Sequence, residues 1–268
     1  MPSCIALTGA TSGIGRATAL AVADRTDHLI LQGIESEQRI DELLAELSAR
    51  QPGGARVTYL PADFAERTEV ARLVSAIRAQ TDRIDGLINN AARPGPARRT
   101  LTSTGDEVTF QTNYLAPVAL TDGVADLVAQ APQGRIINVA SATHRSATLD
   151  LADLAFARHA YSPAGAYAQA KLALVTWTNW LAAHRPASSI DVVSLHPGVI
   201  STSLLHEMFT VAGDPPEHAA ANILHVLERN GDNGTYYDER RPASPNPQAS
   251  DPAGQDRLHD LTERILGR

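Results

Sequence analysis

The chain has 268 residues, 43% of them apolar and 20% charged, which suits one large α/β core and excludes a disordered or fibrous chain. A formal net charge of -7 argues against a sequence-independent binder of nucleic acid or of acidic membranes, because polyanions are repelled by such a surface overall. One cysteine, Cys4, cannot form an intramolecular disulfide or a Cys/His zinc site, and none of the nine histidines pairs as a zinc helix requires, so no metal is expected.

In chain order, 3–7, 28–31, 56–60, 86–88, 135–139 and 191–195 read as strands, with helical runs such as 16–23, 40–47 and 70–79 between them. That alternation predicts a doubly wound α/β fold with a parallel sheet flanked by helices. Several strand runs are apolar without alternation, as in strands covered on both faces. No repeat or linker divides the chain, so 1–268 reads as a single domain. Its segment 199–216, with Leu204, Leu205, Met208 and Phe209, is a substrate lid or a packed helix, and an extended C-terminal tail begins near Arg241. The apolar run at 5–7 stops at Thr8-Gly9, too short for a signal peptide or a membrane span, and a cytoplasmic location is expected.

Directly after the first strand comes Thr8-Gly9-Ala10-Thr11-Ser12-Gly13-Ile14-Gly15, which opens a helical run. Glycines allow a sharp turn close to a pyrophosphate, and the new helix offers unpaired N–H groups and a positive dipole end. The spacing of Gly9, Gly13 and Gly15 differs from the generic dinucleotide fingerprint, so position between strand and helix carries the signal.

Lys171 is the only lysine in the chain, and it follows Tyr167 by four residues in a helical pattern. That offset sets both side chains on one helix face. A phenol near pKa 10 is a poor proton carrier at neutral pH, and an adjacent ammonium favours the phenolate. Ser141 follows the fifth strand, where carboxyl ends open toward a ligand, and it reads either as an ordinary turn serine or as a donor to a substrate oxygen.

These residues resemble the short-chain dehydrogenase/reductase family: 8–15 is similar to its cofactor turn and 167–171 to its active-site motif. The likeness continues through Asn89-Asn90-Ala91-Ala92, Asn113, Ser141 and His196-Pro197-Gly198-Val199-Ile200-Ser201-Thr202. More narrowly, 110–121, 196–205 and 234–267 resemble the retinol-dehydrogenase and WW-domain-oxidoreductase-like branch. The resemblance implies a Rossmann-type NAD(P)-binding domain that moves hydride between NADP or NAD and a carbonyl or alcohol. It implies Tyr167 as general acid/base, Lys171 depressing the phenol pKa and holding the nicotinamide ribose, Ser141 polarising the substrate oxygen, and Asn113 supporting a water that leads to the lysine.

For the cofactor the resemblance implies Gly9, Thr11, Ser12, Gly13, Ile14 and Gly15 at the phosphates, Gly33 beside the adenosine ribose and Asp63 at the adenine amino group. Asn89 and Ala91 would line the dinucleotide, and Ile200 and Thr202, with Pro197 and Gly198 beside them, would meet the carboxamide. Two residues keep a second reading: Asp63 as a cap for a helix starting near Ala65, and Asn113 as a helix-interior amide with a packing role. Ala92 replaces the family's glycine. At the second strand's end Gly33 and Ile34 supply neither the acid that bonds a 2'-hydroxyl nor the arginine that accepts a 2'-phosphate. Glu35 disfavours a phosphate if it points inward, whereas the branch's frequent use of NADP, with Arg16 or Arg39 in reach, tips the expectation to NADP.

Phe156, Tyr161, Leu204, Met208 and Phe209 suggest a hydrophobic ketone, aldehyde or alcohol as substrate. His144 reads as a solvent loop residue or as a border of the pocket. Pairing of two copies through the helix carrying Tyr167 is a family expectation. The rival to turnover is a dinucleotide-binding sensor or scaffold that keeps the fold alone.

Overall fold

Six short apolar runs become the parallel strands β1 (Cys4–Leu7), β2 (His28–Gly33), β3 (Arg56–Pro61), β4 (Gly86–Asn89), β5 (Gly134–Val139) and β6 (Ile190–His196), each within two residues of its predicted bounds. They belong to a computed structural model that describes residues 4–50, 55–185 and 187–268; Ser3, expected to open the first strand, lies outside the described residues. The helices are α1 (Gly13–Val22), α2 (Asp41–Arg50), α3 (Arg67–Arg78), α4 (Val108–Phe110), α5 (Ala116–Ala129), α6 (Pro163–His184), α7 (Ser203–Met208), α8 (Pro216–Leu227) and α9 (Pro252–Leu266). A π-helical turn, Gln111–Leu115, joins α4 to α5.

The sheet runs β3-β2-β1-β4-β5-β6 and continues through β7 (Tyr236–Asp238) to an antiparallel edge, β8 (Arg241–Ala243). Strand order reverses between β1 and β4, which opens a crevice at their carboxyl ends. The two-residue period of β1 supplies both faces: Ile5 and Leu7 join the core with α1, α2 and α8, whereas Cys4 and Ala6 join the core with α3, α5, α6 and α9. All four residues are buried, which explains why the strand shows no polar alternation.

The C-terminal part is folded rather than an extended tail. Strands of three residues are too short to show a periodic pattern, and Pro242 sits in the outermost strand, where a missing N–H removes no needed ladder bond. Helix α9 begins at Asp251, whose carboxylate accepts from the Gly254 N–H at 3.0 Å, and ends at Gly267 with φ 77°. It packs on α6, where His259 stacks on Trp180 with ring centres 3.6 Å apart; its Leu258 and Thr262 are fully buried, and Tyr114 Oη meets Thr262 Oγ1 at 2.7 Å. From Gln169 to Thr178 every residue of α6 is buried within the one chain. The helix expected to pair two copies is therefore enclosed by the protein's own elements along that stretch.

Within 199–216 the short α7 buries none of its residues, and the segment is closed by a bridge between Ile200 and Asp214. No helix among the described residues is long and apolar enough to cross a membrane.

Candidate active site

Beyond β1 the chain turns sharply because neighbouring strands grip it from behind. Thr8 Oγ1 accepts the N–H groups of Asn90 and Ala91, both at 3.0 Å, while Asn90 Nδ2 donates to the carbonyls of Thr8 and Gly9. Gln32 Oε1 takes the Gly9 N–H at 3.0 Å. Gly9 adopts φ 65°, in the left-handed region, and a Cβ on Gly15 would lie 1.9 Å from the Gly9 carbonyl oxygen, so the two glycines meet different demands of one close approach.

Helix α1 then points its N-terminus into the crevice. The Ser12 side chain makes no capping bond, the first turn holds no acid, and the N–H groups of Gly13, Ile14 and Gly15 have no acceptor among the described residues. Open donors and the dipole suit a phosphate group. Ala92, at the position of the family's glycine, carries no positive φ, so its methyl group introduces no backbone strain.

The crevice is a cleft of about 660 Å³ lined by Gly9, Thr11, Ser12, Gly13, Ile14, Gly15, Gly33, Asp63, Ala91, Ser141, Tyr167, Lys171, Pro197, Gly198, Ile200 and Thr202 among others. Two expected residues stand behind that surface. Asn89 closes β4 with its side chain toward α5, donating to Thr121 Oγ1 at 2.9 Å and to Asn138 Oδ1 at 2.8 Å; strand alternation turns Asn90 to the cleft in its place. Asn113 is fully buried in the π-helical turn and clasps the backbone of Arg93, accepting its N–H and donating to its carbonyl, both at 2.9 Å. Its side chain thereby holds the Ala91–Pro94 loop.

Tyr167 and Lys171 both face the cleft from α6, with Lys171 Nζ 5.8 Å from the phenol ring centre. Burial dominates both groups. It pushes the Tyr167 phenol up to about 12, against a smaller downward pull from the neighbouring Ser141 hydroxyl, and it brings Lys171 down to about 7. Lys171 Nζ donates to the Val139 carbonyl at 2.8 Å.

Ser141 is held from two sides. His196 Nδ1 accepts the N–H of Ala142 at 3.2 Å, and His144 Nδ1 donates to the Ser141 carbonyl at 2.6 Å. His144 is wholly buried and does not line the cleft, contrary to both of its sequence readings. Periodicity offered no signal for either clamp, because both contacts join segments distant in sequence.

At the other end of the cleft, Glu35 lines the wall beyond Gly33, with Oε2 buried and without a hydrogen-bond partner. Of the two candidate arginines, Arg16 is paired with Glu46 at 2.6 Å, and Arg39 stands exposed in the turn Glu37–Arg39. Asp63 lines the cleft and also accepts the Ala65 N–H through Oδ1 at 2.8 Å, although α3 begins only at Arg67. Leu204, Leu205 and Phe209 reach the cleft, joined by Val211, which composition did not single out; Met208, Phe156 and Tyr161 do not. Glycine-cradled donors, a large concave space and an orphaned carboxylate oxygen near the ribose position fit a dinucleotide. Among the described residues no cluster of three or more histidines, cysteines or acids is arranged to hold a metal ion.

Residues 3–211 match the family model described as short chain dehydrogenase. Mouse retinol dehydrogenase 13 is 32% identical over 98% of this chain and 83% of its own length, and mouse polyprenol dehydrogenase is 32% identical over 97% and 83%. The NADPH-bound carbonyl reductase from chicken fatty liver superimposes with a TM-score of 0.69 at 22% identity, covering 90% of this chain and 98% of that one, a likeness of fold.

Proposed function

This chain belongs to the short-chain dehydrogenase/reductase family, on its retinol-dehydrogenase branch, and from that premise we propose that Tyr167 is the proton donor and acceptor of an NAD(P)-dependent oxidoreductase interconverting an alcohol and a carbonyl. The observation that carries the reading is the meeting of Ser141, Tyr167 and Lys171 in one cleft with the glycine turn. The bound dinucleotide supplies or takes up hydride. Ser141 donates to the substrate oxygen and holds it beside the phenol. Tyr167 passes its proton to that oxygen in reduction and recovers it in oxidation. Lys171 steadies the charge on the phenol and ties α6 to the end of β5 through Val139. Asn113 keeps the Ala91–Pro94 wall in register.

Gly13 to Gly15 would hold the phosphates on their open N–H groups, and Ile200 and Thr202, which line the cleft, would meet the carboxamide. For the ribose we favour NAD over NADP: the orphaned Glu35 Oε2 is an acceptor for a 2'-hydroxyl and repels a 2'-phosphate, and Arg16 is already paired. The substrate is hydrophobic, given the Leu204, Leu205, Phe209 and Val211 wall and the lipid alcohols named in two relatives. The segment 199–216 is its lid, and the cytoplasm, where the free buried thiol of Cys4 is unremarkable, is the compartment we assign.

The test is Tyr167→Phe. The variant is expected to bind NADH as the native protein does and to lose turnover across a panel of ketones and aldehydes by about a hundredfold or more. Unchanged turnover rejects the mechanism.

A further inference from the structure

Arg93 is an arginine whose charge the protein leaves uncommitted inside the reaction cleft. It lines the cleft from the loop after β4, half-buried, and its Nε is sealed from solvent with no hydrogen-bond partner. Among the described residues no carboxylate pairs with its guanidinium and no carbonyl accepts from it, although its backbone is fixed at both polar atoms by Asn113. Glu107 and Arg93 both act on Tyr161, in opposite directions, and the two oxygens of Glu107 accept from the Phe110 N–H at 2.8 Å and the Thr109 hydroxyl at 2.9 Å.

An arginine does not lose its charge, and leaving buried donors unmade is costly. Two other shielded arginines are matched by acids, Arg67 by Asp106 at 2.5 Å and Arg135 by Asp232 at 2.7 Å, whereas the half-buried Arg185, which lies outside the cleft, donates to the Ala182 carbonyl at 2.8 Å. Arg93 is also the one arginine among the described residues that line the cleft, and the cleft's lysine is engaged with Val139. A fixed fork of donors with no protein acceptor is complementary to a carboxylate.

We propose that Arg93 is a substrate anchor and that the natural substrate is an apolar carbonyl or alcohol compound bearing a carboxylate. The apolar part rests on Leu204, Leu205 and Phe209, the reacting carbon lies at Tyr167, and the carboxylate is taken by the Arg93 guanidinium. This rests on the reading of the cleft as the site of carbonyl chemistry and adds the charge of the substrate. An anionic oxygen group also occurs on the dinucleotide itself, and the experiment separates the two sources.

Binding is measured by calorimetry on protein saturated with oxidised cofactor, so that ketones form a dead-end complex. The probes are matched pairs: 4-acetylbenzoate, 4-benzoylbenzoate and 9-oxodecanoate, each against its methyl ester. The native protein is expected to prefer at least one carboxylate over its ester by about tenfold to a hundredfold, the worth of a charge-assisted hydrogen-bonded pair. Arg93→Met removes the preference, Arg93→Lys keeps part of it, and the affinity for cofactor alone is unchanged in both. Equal affinity within every pair, or no binding of any carboxylate, overturns the proposal, and the native comparison decides even if a variant fails to fold. A parallel loss of cofactor affinity in Arg93→Met assigns the residue to the dinucleotide's phosphates and also overturns it. Because the readout is binding, a carboxylate preference that persists in Tyr167→Phe stands apart from whether that variant turns over.

Discussion

Lys171 Nζ donates to the carbonyl oxygen of Val139 at 2.8 Å, so the cation of α6 is tied to the last residue of the strand that leads, two residues later, to Ser141. The bond links the phenol-bearing helix to the serine turn through a single buried donor.

Its titration sets the first prediction. Burial lowers Lys171 from its ordinary 10.5 to about 7, so between those values the unfolded chain binds more protons than the folded one, and native stability rises with pH across that window. Lys171→Met removes the buried charge and leaves the Val139 carbonyl without its donor, a cost independent of pH. The melting temperature of the variant relative to the native protein is expected to be most favourable at pH 7 and to fall steadily toward pH 10. A difference that stays constant over that range contradicts a charge penalty at this residue.

The proposed role of Glu35 in cofactor choice is tested by kinetics. Steady-state KM values are expected to be lower for NAD than for NADP in the native protein, and Glu35→Gln is expected to lower the KM for NADP by about tenfold, roughly 1.4 kcal/mol of relieved repulsion. A native preference for NADP would sink the assignment of this oxygen to the ribose.

The histidine pair around Ser141 predicts a split between chemistry and binding. His196→Leu removes the acceptor for the Ala142 N–H and is expected to lower kcat about tenfold, the worth of one hydrogen bond that orients the serine, with cofactor KM little changed. His196→Asn, which restores an acceptor, is expected to recover most of it. Burial lowers the pKa of both His196 and His144, with Asp238 and Glu239 opposing and Arg145 assisting that shift at His196. Both rings are therefore neutral at pH 7, and acid that protonates His196 Nδ1 turns it from acceptor to donor against Ala142. Turnover of native protein is expected to fall on the acid side along a limb that is altered in His196→Asn; identical limbs would show that this ring does not report on the serine turn.

The enclosure of α6 by α9 predicts a monomer. Sedimentation of the full chain is expected to give the mass of one copy, 28.5 kDa. Leu258→Asp puts a carboxylate into the core on the inner side of α9, where Leu258 is fully buried, and is expected to destabilise the chain by several kcal/mol, since an uncompensated charge joins lost apolar burial. A stable native dimer would show that a different face makes the pair.

Much of this protein is written locally. Its six parallel strands, the glycine turn and the Tyr167-to-Lys171 spacing follow from periodicity and from what a tight turn or one helical turn permits, because each depends on residues adjacent in the chain. Tertiary structure decided the rest, because it depends on which distant segments meet. Asn90 rather than Asn89 faces the cleft because of the phase of β4, and His144 is buried because Asn246, 102 residues away, closes over it. The phenol pKa rises rather than falls because burial is a sum over the whole fold, which no spacing in the sequence records. The unmatched guanidinium of Arg93 belongs to the same class: an arginine in a loop is ordinary in a sequence, and only packing determines whether any acid comes within its reach.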